Sequence, residues 1–197
     1  MRRDDHADAL AADLEADGYL FPDSGGYSIA GLLGATLSVH DARPESVPGL
    51  PDDVFAGITL SDIDNVVFVL VDGFGYDQWR RFEERDRLET DLLADISTEG
   101  TVTPLTSVFP SETAAALPTI LTGQYPIEHG LLGWWKHVDG LGRIQTLPYE
   151  TEDDRPIREV YSDAPQPHEV LYTADPVGPK VAGAVDSALF TPAGEAT

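Results

Sequence analysis

Six apolar residues ending on an acid and a glycine turn, V-V-F-V-L-V-D-G-F-G over Val66–Gly75, constrain this chain most. An unbroken β-branched run of that kind is apolar on both faces, as in a central parallel strand covered by helices on each side. A carboxylate at the tip of a buried strand is costly unless it is paired or ligates a metal. Asp72 stands at that tip, and Gly73 and Gly75 after it allow tight turning and the close approach of a ligand. Two readings stay open for Asp72: ligand to a divalent cation, or cap of the helix that follows.

The second informative stretch is S-V-F-P-S-E-T-A-A-A-L-P-T-I-L-T-G-Q-Y-P-I-E-H-G, Ser107 to Gly130. Residues 112–122 predict a helix with two hydroxyls, Ser111 and Thr113, at its start. Ser111 is assigned the N-cap and Thr113 the reactive hydroxyl. An unaided threonine attacks phosphorus or sulfur poorly, whereas metal coordination favours its alkoxide. In the first turn it also has backbone N–H groups beside it to hold an anionic oxygen. Asp72 and Thr113 are therefore expected together at the carboxyl end of the sheet, sharing a cation. Pro118 predicts either a kink or a later helix start. His129 is read as a ring that hydrogen-bonds backbone and closes the turn before Gly130, in preference to a zinc ligand. For Trp134 and Trp135, core or rim packing is preferred over lining a substrate pocket.

Elsewhere the pattern predicts an amphipathic helix over residues 5–17 broken by Asp23–Gly26, and a packed helix from Ile29 to Leu37. Pro44–Asp53 reads as a connector. Asp77–Ile96 predicts a helix in two pieces with Trp79, Phe82, Leu88, Leu92 and Leu93 as its buried stripe, and Thr101–Phe109 a second strand. This β-α-β-α order argues for an α/β fold with a mostly parallel central sheet flanked by helices. Residues 148–179, with six prolines, read as an irregular excursion, and Val181–Phe190 regains apolar character.

The two motifs together resemble the alkaline phosphatase superfamily, specifically its type I phosphodiesterase/nucleotide pyrophosphatase branch. V-L-V-D-G-F-G is followed at suitable spacing by F-P-S-E-T-A-A-A-L-P-T-I-L-T-G-Q-Y-P-I-E-H-G-L-L-G, and the likeness covers residues 66–133. The resemblance implies an alkaline-phosphatase-like domain, a metal-binding Asp72, and Thr113 as nucleophile and metal ligand. It also implies a pair of divalent ions, Zn2+, and hydrolysis of a phosphodiester or phosphoanhydride bond in a phosphorylated small molecule or nucleotide. Ala116 stands where eukaryotic members carry an Asn that helps to bind phosphate; the A-A-A-L pattern is similar to prokaryotic members. The family's remaining ligands, two Asp and three His, come from the second half of a longer chain. No D-x-x-x-H or D-H pair follows Gly133 here, His137 and His168 are isolated, and Asp186 has no His beside it. The expectation is thus a domain truncated after its nucleophile half. A rival reading is a catalytically inactive truncated or split-gene fragment, needing a second chain for the other ligands. Its expected parts are a helical lead-in (1–64), a metal and nucleophile core (65–147) and an irregular excursion with a terminal segment (148–197).

Composition narrows the setting. The 197 residues carry 35 Asp and Glu against 12 Lys and Arg, a formal charge of −23. The acids are scattered, so the reading is a solvated acidic surface of halophilic type rather than an interaction tail. No basic patch exists to neutralise phosphates, which argues against nucleic-acid binding. No cysteine is present, which removes disulfides, thiolate zinc sites and cysteine nucleophiles. The sequence shows neither a secretory h-region nor ~20 consecutive apolar residues, so a cytoplasmic protein without membrane contact is expected.

Overall fold

The structure, a computed structural model, describes residues 2–24, 26–55, 57–85 and 91–171, with Thr173, Val177 and Ala184. Leu88, the Leu92 side chain and most of Val181–Phe190, including Asp186, lie outside that set. The chain opens with helix α1, Asp4–Leu14, whose first turn carries Asp4 and Asp5 where the helix dipole favours negative charge. The helix stops three residues short of the expected end. Asp17 (φ 53°) and Gly18 (φ 79°) form a tight turn joining strands β1, Glu15–Ala16, and β2, Tyr19–Leu20. An Asp-Gly pair with both φ angles positive matches the twist of a two-residue hairpin, and this local signal overrides the helical periodicity.

Ser28 then caps a 3-10 turn, Ile29–Gly31, its Oγ accepting from the Ala30 N–H, and helix α2, Leu32–Ser38, continues from it. Helix α2 packs backbone to backbone against the proline connector. A Cβ added at Gly34 would lie 1.9 Å from the Pro48 carbonyl oxygen. Gly34→Ala is therefore expected to cost on the order of 1–3 kcal/mol through overpacking, read as a lower midpoint in chemical denaturation. An unchanged midpoint would show that the connector gives way freely.

The remaining helices are α3, Tyr76–Glu84; α4, Asp91–Glu99; α5, Thr113–Thr122; α6, Pro126–His129; α7, Ile157–Val160; and α8, Pro167–Val170. Strands β3, Trp135–Val138, β4, Gly142–Gln145, and β5, Glu150–Thr151, form an antiparallel sheet in that order. Val138 and Ile144 from this sheet, Leu131, Ile157 and Leu171 share one buried cluster. The proline-rich stretch thus contributes β5, α7 and α8 around that core. A second cluster joins Leu37 of α2 to Val47 and Val177.

Four expectations need correction. Both sheets among the described residues are antiparallel, and the expected mostly parallel central sheet is not found there. Val66–Val71 is an extended segment outside any strand, with Val67 84% and Val69 71% exposed. An apolar run shows what a segment can be buried in; burial also needs neighbours to hydrogen-bond its edges, and the described residues provide none. Thr101–Phe109 contributes only isolated parallel bridges, Arg2 to Val102 and Ser28 to Thr106; Pro104 lacks the N–H that a continuous ladder requires. Lastly, α3 buries no residue, and Phe82 is 41% exposed. Its aromatic residues meet Phe74 instead, with ring centroids 6.1 Å away for Trp79 and 5.9 Å for Phe82.

Candidate active site

Asp72 ends the exposed run, and the chain turns at Gly73 with φ 70°, a conformation costly for any side chain with a Cβ. Helix α3 begins only at Tyr76. Its N-cap is Gly75, whose N–H donates to Gln78 Oε1 at 2.7 Å. The cap reading of Asp72 is therefore removed, and its carboxylate is exposed to solvent.

Thr113 is the first residue of α5, and the N-cap is Glu112. The assignment of Ser111 as cap is overturned: the helix starts one residue later, and the Ser111 hydroxyl donates to Ser107 Oγ at 2.9 Å. The N–H groups of Ala115 and Ala116 both reach the Glu112 carbonyl. Helix geometry leaves the N–H groups of Thr113 and Ala114 without an intrahelical acceptor. Pro118 lies inside α5, whose start at Thr113 is one residue later than the expected position 112. Gly123, in the left-handed region at φ 71°, ends the helix.

The two residues singled out for chemistry meet. Thr113 Oγ1 donates to Asp72 Oδ2 at 2.9 Å across 41 residues of sequence. With its hydrogen directed at the carboxylate, the threonine oxygen keeps its lone pairs for another partner. Glu112, next to Thr113 in the chain, sends its carboxylate to Gly133, where it would lie 3.5 Å from an added Cβ. Among the described residues no Lys or Arg forms an ion pair with Asp72 or Glu112. A surface of that sign repels phosphate unless a cation intervenes.

The other candidates do not join this pair. His129 is fully buried: its Nδ1 accepts from the Leu131 N–H at 3.2 Å, and Nε2 lies 3.0 Å from Thr119 Oγ1. Both ring nitrogens are thus engaged, and the turn closes at Gly130 as expected. Trp134 donates to Gln145 Oε1 at 2.9 Å, while Trp135 lies under the Arg143 guanidinium, 4.4 Å from its ring centroid. These are packing contacts of the hairpin surface. His137 is on β3 and His168 on α8, and among the described residues no three His, Cys, Asp or Glu side chains converge as a metal cluster would require. Sequence reasoning passed over Ser107, Glu112 and Thr119. Only the S-x-x-x-S spacing of Ser107 and Ser111 could have suggested one of them.

The type I phosphodiesterase / nucleotide pyrophosphatase family model matches residues 66–185 and so takes in Asp72, Thr113 and the whole Ser107–Gly130 stretch. The chain belongs to this family. It is accordingly a phosphodiesterase/nucleotide pyrophosphatase-like hydrolase at family level, in a branch of the alkaline phosphatase superfamily whose members act on phosphorylated or nucleotide substrates and generally require metal. No curated protein and no solved structure matches the chain. Among the described residues no helix is long and apolar enough to cross a membrane.

Proposed function

We propose that the chain is a metal-dependent hydrolase of phosphodiester or phosphoanhydride bonds in which Thr113 is the nucleophile. The observation that carries this reading is the 2.9 Å hydrogen bond between Thr113 Oγ1 and Asp72 Oδ2 at the start of α5. Thr113 Oγ1 would form a bond to phosphorus as the bond from phosphorus to the leaving oxygen breaks; water would then hydrolyse the phosphothreonine. The N–H groups of Thr113 and Ala114 would hold the phosphoryl oxygen on which charge accumulates.

Asp72 and Thr113 fit one edge of a divalent cation's shell, two oxygen donors converging from separate segments. A bound cation, Zn2+ on this reading, would lower the pKa of the threonine hydroxyl and neutralise phosphate charge. Catalytic zinc sites use three protein ligands besides the open position, so two donors retain the ion weakly. On this reading residues 65–147 form the reactive core, 1–64 a lead-in and 148–197 the remainder.

The test is a Zn2+ titration in molar KCl with a chromogenic phosphodiester and a phosphomonoester, on the native chain and on Thr113→Ala. Preference for the diester, lost in the variant, supports the reading. Metal-dependent rates well above that of free Zn2+ and equal in both proteins would remove Thr113 from the nucleophile's role. A second reading rests on the exposed Val66–Val71 run: a second chain covers it and supplies the missing ligands, and this chain alone is inactive.

A further inference from the structure

Helix α5 has an internal weakness close to the reactive residue. Pro118 has no N–H, so the Ala114 carbonyl, one residue after Thr113, lacks its i+4 donor. The adjacent carbonyl, that of Ala115, instead gains an additional bond, because Thr119 Oγ1 donates to it at 3.0 Å. Thr119 is fully buried, and its hydroxyl also meets His129 Nε2 at 3.0 Å.

The direction of this chain of bonds follows from its fixed ends. The Leu131 N–H can only donate, so His129 Nδ1 carries no proton and Nε2 does. Nε2–H therefore donates to Thr119 Oγ1, and the Thr119 hydrogen is free for the Ala115 carbonyl. His129 is held in turn by its own main chain: its N–H reaches the Tyr125 carbonyl at 3.0 Å, and its carbonyl accepts from the Thr173 N–H at 3.1 Å.

We propose that His129, neutral and protonated on Nε2, is a positioning residue that acts through Thr119 to fix the first turn of α5 and with it Thr113. This rests on the reading of Thr113 as nucleophile. The arrangement works with one protonation state only. A proton on Nδ1 would set N–H against the Leu131 N–H at 3.2 Å, so acid should release the first turn. Burial pushes the His129 pKa below the usual imidazole value; on the α5 side the Ala115 carbonyl pulls it back up while Thr119 is uncharged, Glu128 on its own turn also raises it, and Lys136 on β3 adds to the lowering. The stabilisation is present above about pH 6.5, the ordinary imidazole value, and is lost as pH falls through the depressed folded-state pKa.

The experiment is an NMR pH titration of the full chain in molar KCl, following the His129 ring nitrogens and the backbone amides of Thr113 to Ala116. The expected result is the Nε2–H tautomer at neutral pH, with those four amides moving together with the ring at a midpoint below 6.5. Thr119→Val should displace the four amides at neutral pH and abolish their coupling to the ring, and Thr119→Ser should restore both. Amides that ignore Thr119→Val, that move independently of the His129 ring, or a ring protonated on Nδ1 would overturn the proposal. If the valine variant fails to fold, the titration of the native chain and the serine variant decides alone. None of these signals uses turnover, so they remain readable if Thr113→Ala shows that the hydroxyl is not the nucleophile.

Discussion

On the two-chain reading, the purified chain alone in solution is expected to hydrolyse a chromogenic phosphodiester close to the rate of the free metal ion, however much Zn2+ is added. The reason is a ligand count. Asp72 and Thr113 bring one carboxylate and one neutral hydroxyl to the cation, and the described residues contain no cluster of three ligating side chains. Metal activation of a nucleophile fails when the metal is not retained. In a preparation where the shell is completed, the same threonine should carry the reaction, and Thr113→Ala should then cost ~10³-fold or more, as loss of a nucleophile does elsewhere. Robust, saturable turnover by the isolated chain that Thr113→Ala abolishes would show it to be self-sufficient and defeat the two-chain reading. The missing ligands would then have to be sought among His137, His168 and the acids of 150–163.

Raising KCl from about 0.1 M to molar concentration should increase the thermal midpoint by ~10 °C. Two effects of salt oppose each other here, and their sizes decide the sign. Screening weakens the surface ion pairs, such as Arg2 with Asp4 and Glu83, and Arg3 with Asp53. Exposed pairs contribute ~1 kcal/mol or less each, so little is lost. Screening also relieves repulsion among 35 acidic residues facing only 12 basic ones. As the Debye length falls from ~10 Å to ~3 Å, that relief should amount to a few kcal/mol, and each kcal/mol moves the midpoint of a chain this size by about 2–4 °C. A midpoint that stays flat or falls, followed by circular dichroism across the series, would remove the halophilic interpretation of the acidic surface.

The residues of the candidate site could be singled out from the chain because the motif depends on residue type and order. An acid after an apolar run, then a hydroxyl opening a helix, point to Asp72 and Thr113 without knowledge of their distance. The Asp17–Gly18 hairpin was equally local, a turn signal that ought to have outweighed the amphipathic pattern over residues 5–17. The helix cap falls at Glu112, one residue after the expected Ser111, since either residue can precede a helix and the Ser111 hydroxyl donates to Ser107 instead.

By itself, the sequence determined the family and the acidic charge and singled out the candidate pair Asp72 and Thr113, because composition and motif order persist whatever the chain packs against. Tertiary structure alone decided whether Val66–Val71 has neighbours, since strand pairing belongs to two segments and the residues of one cannot specify it. It also decided that His129 meets Thr119 across ten positions and that Asp72 meets Thr113 across 41. Hydrogen bonds of that kind require two side-chain atoms to be placed within about 3 Å, and only the folded chain brings them there.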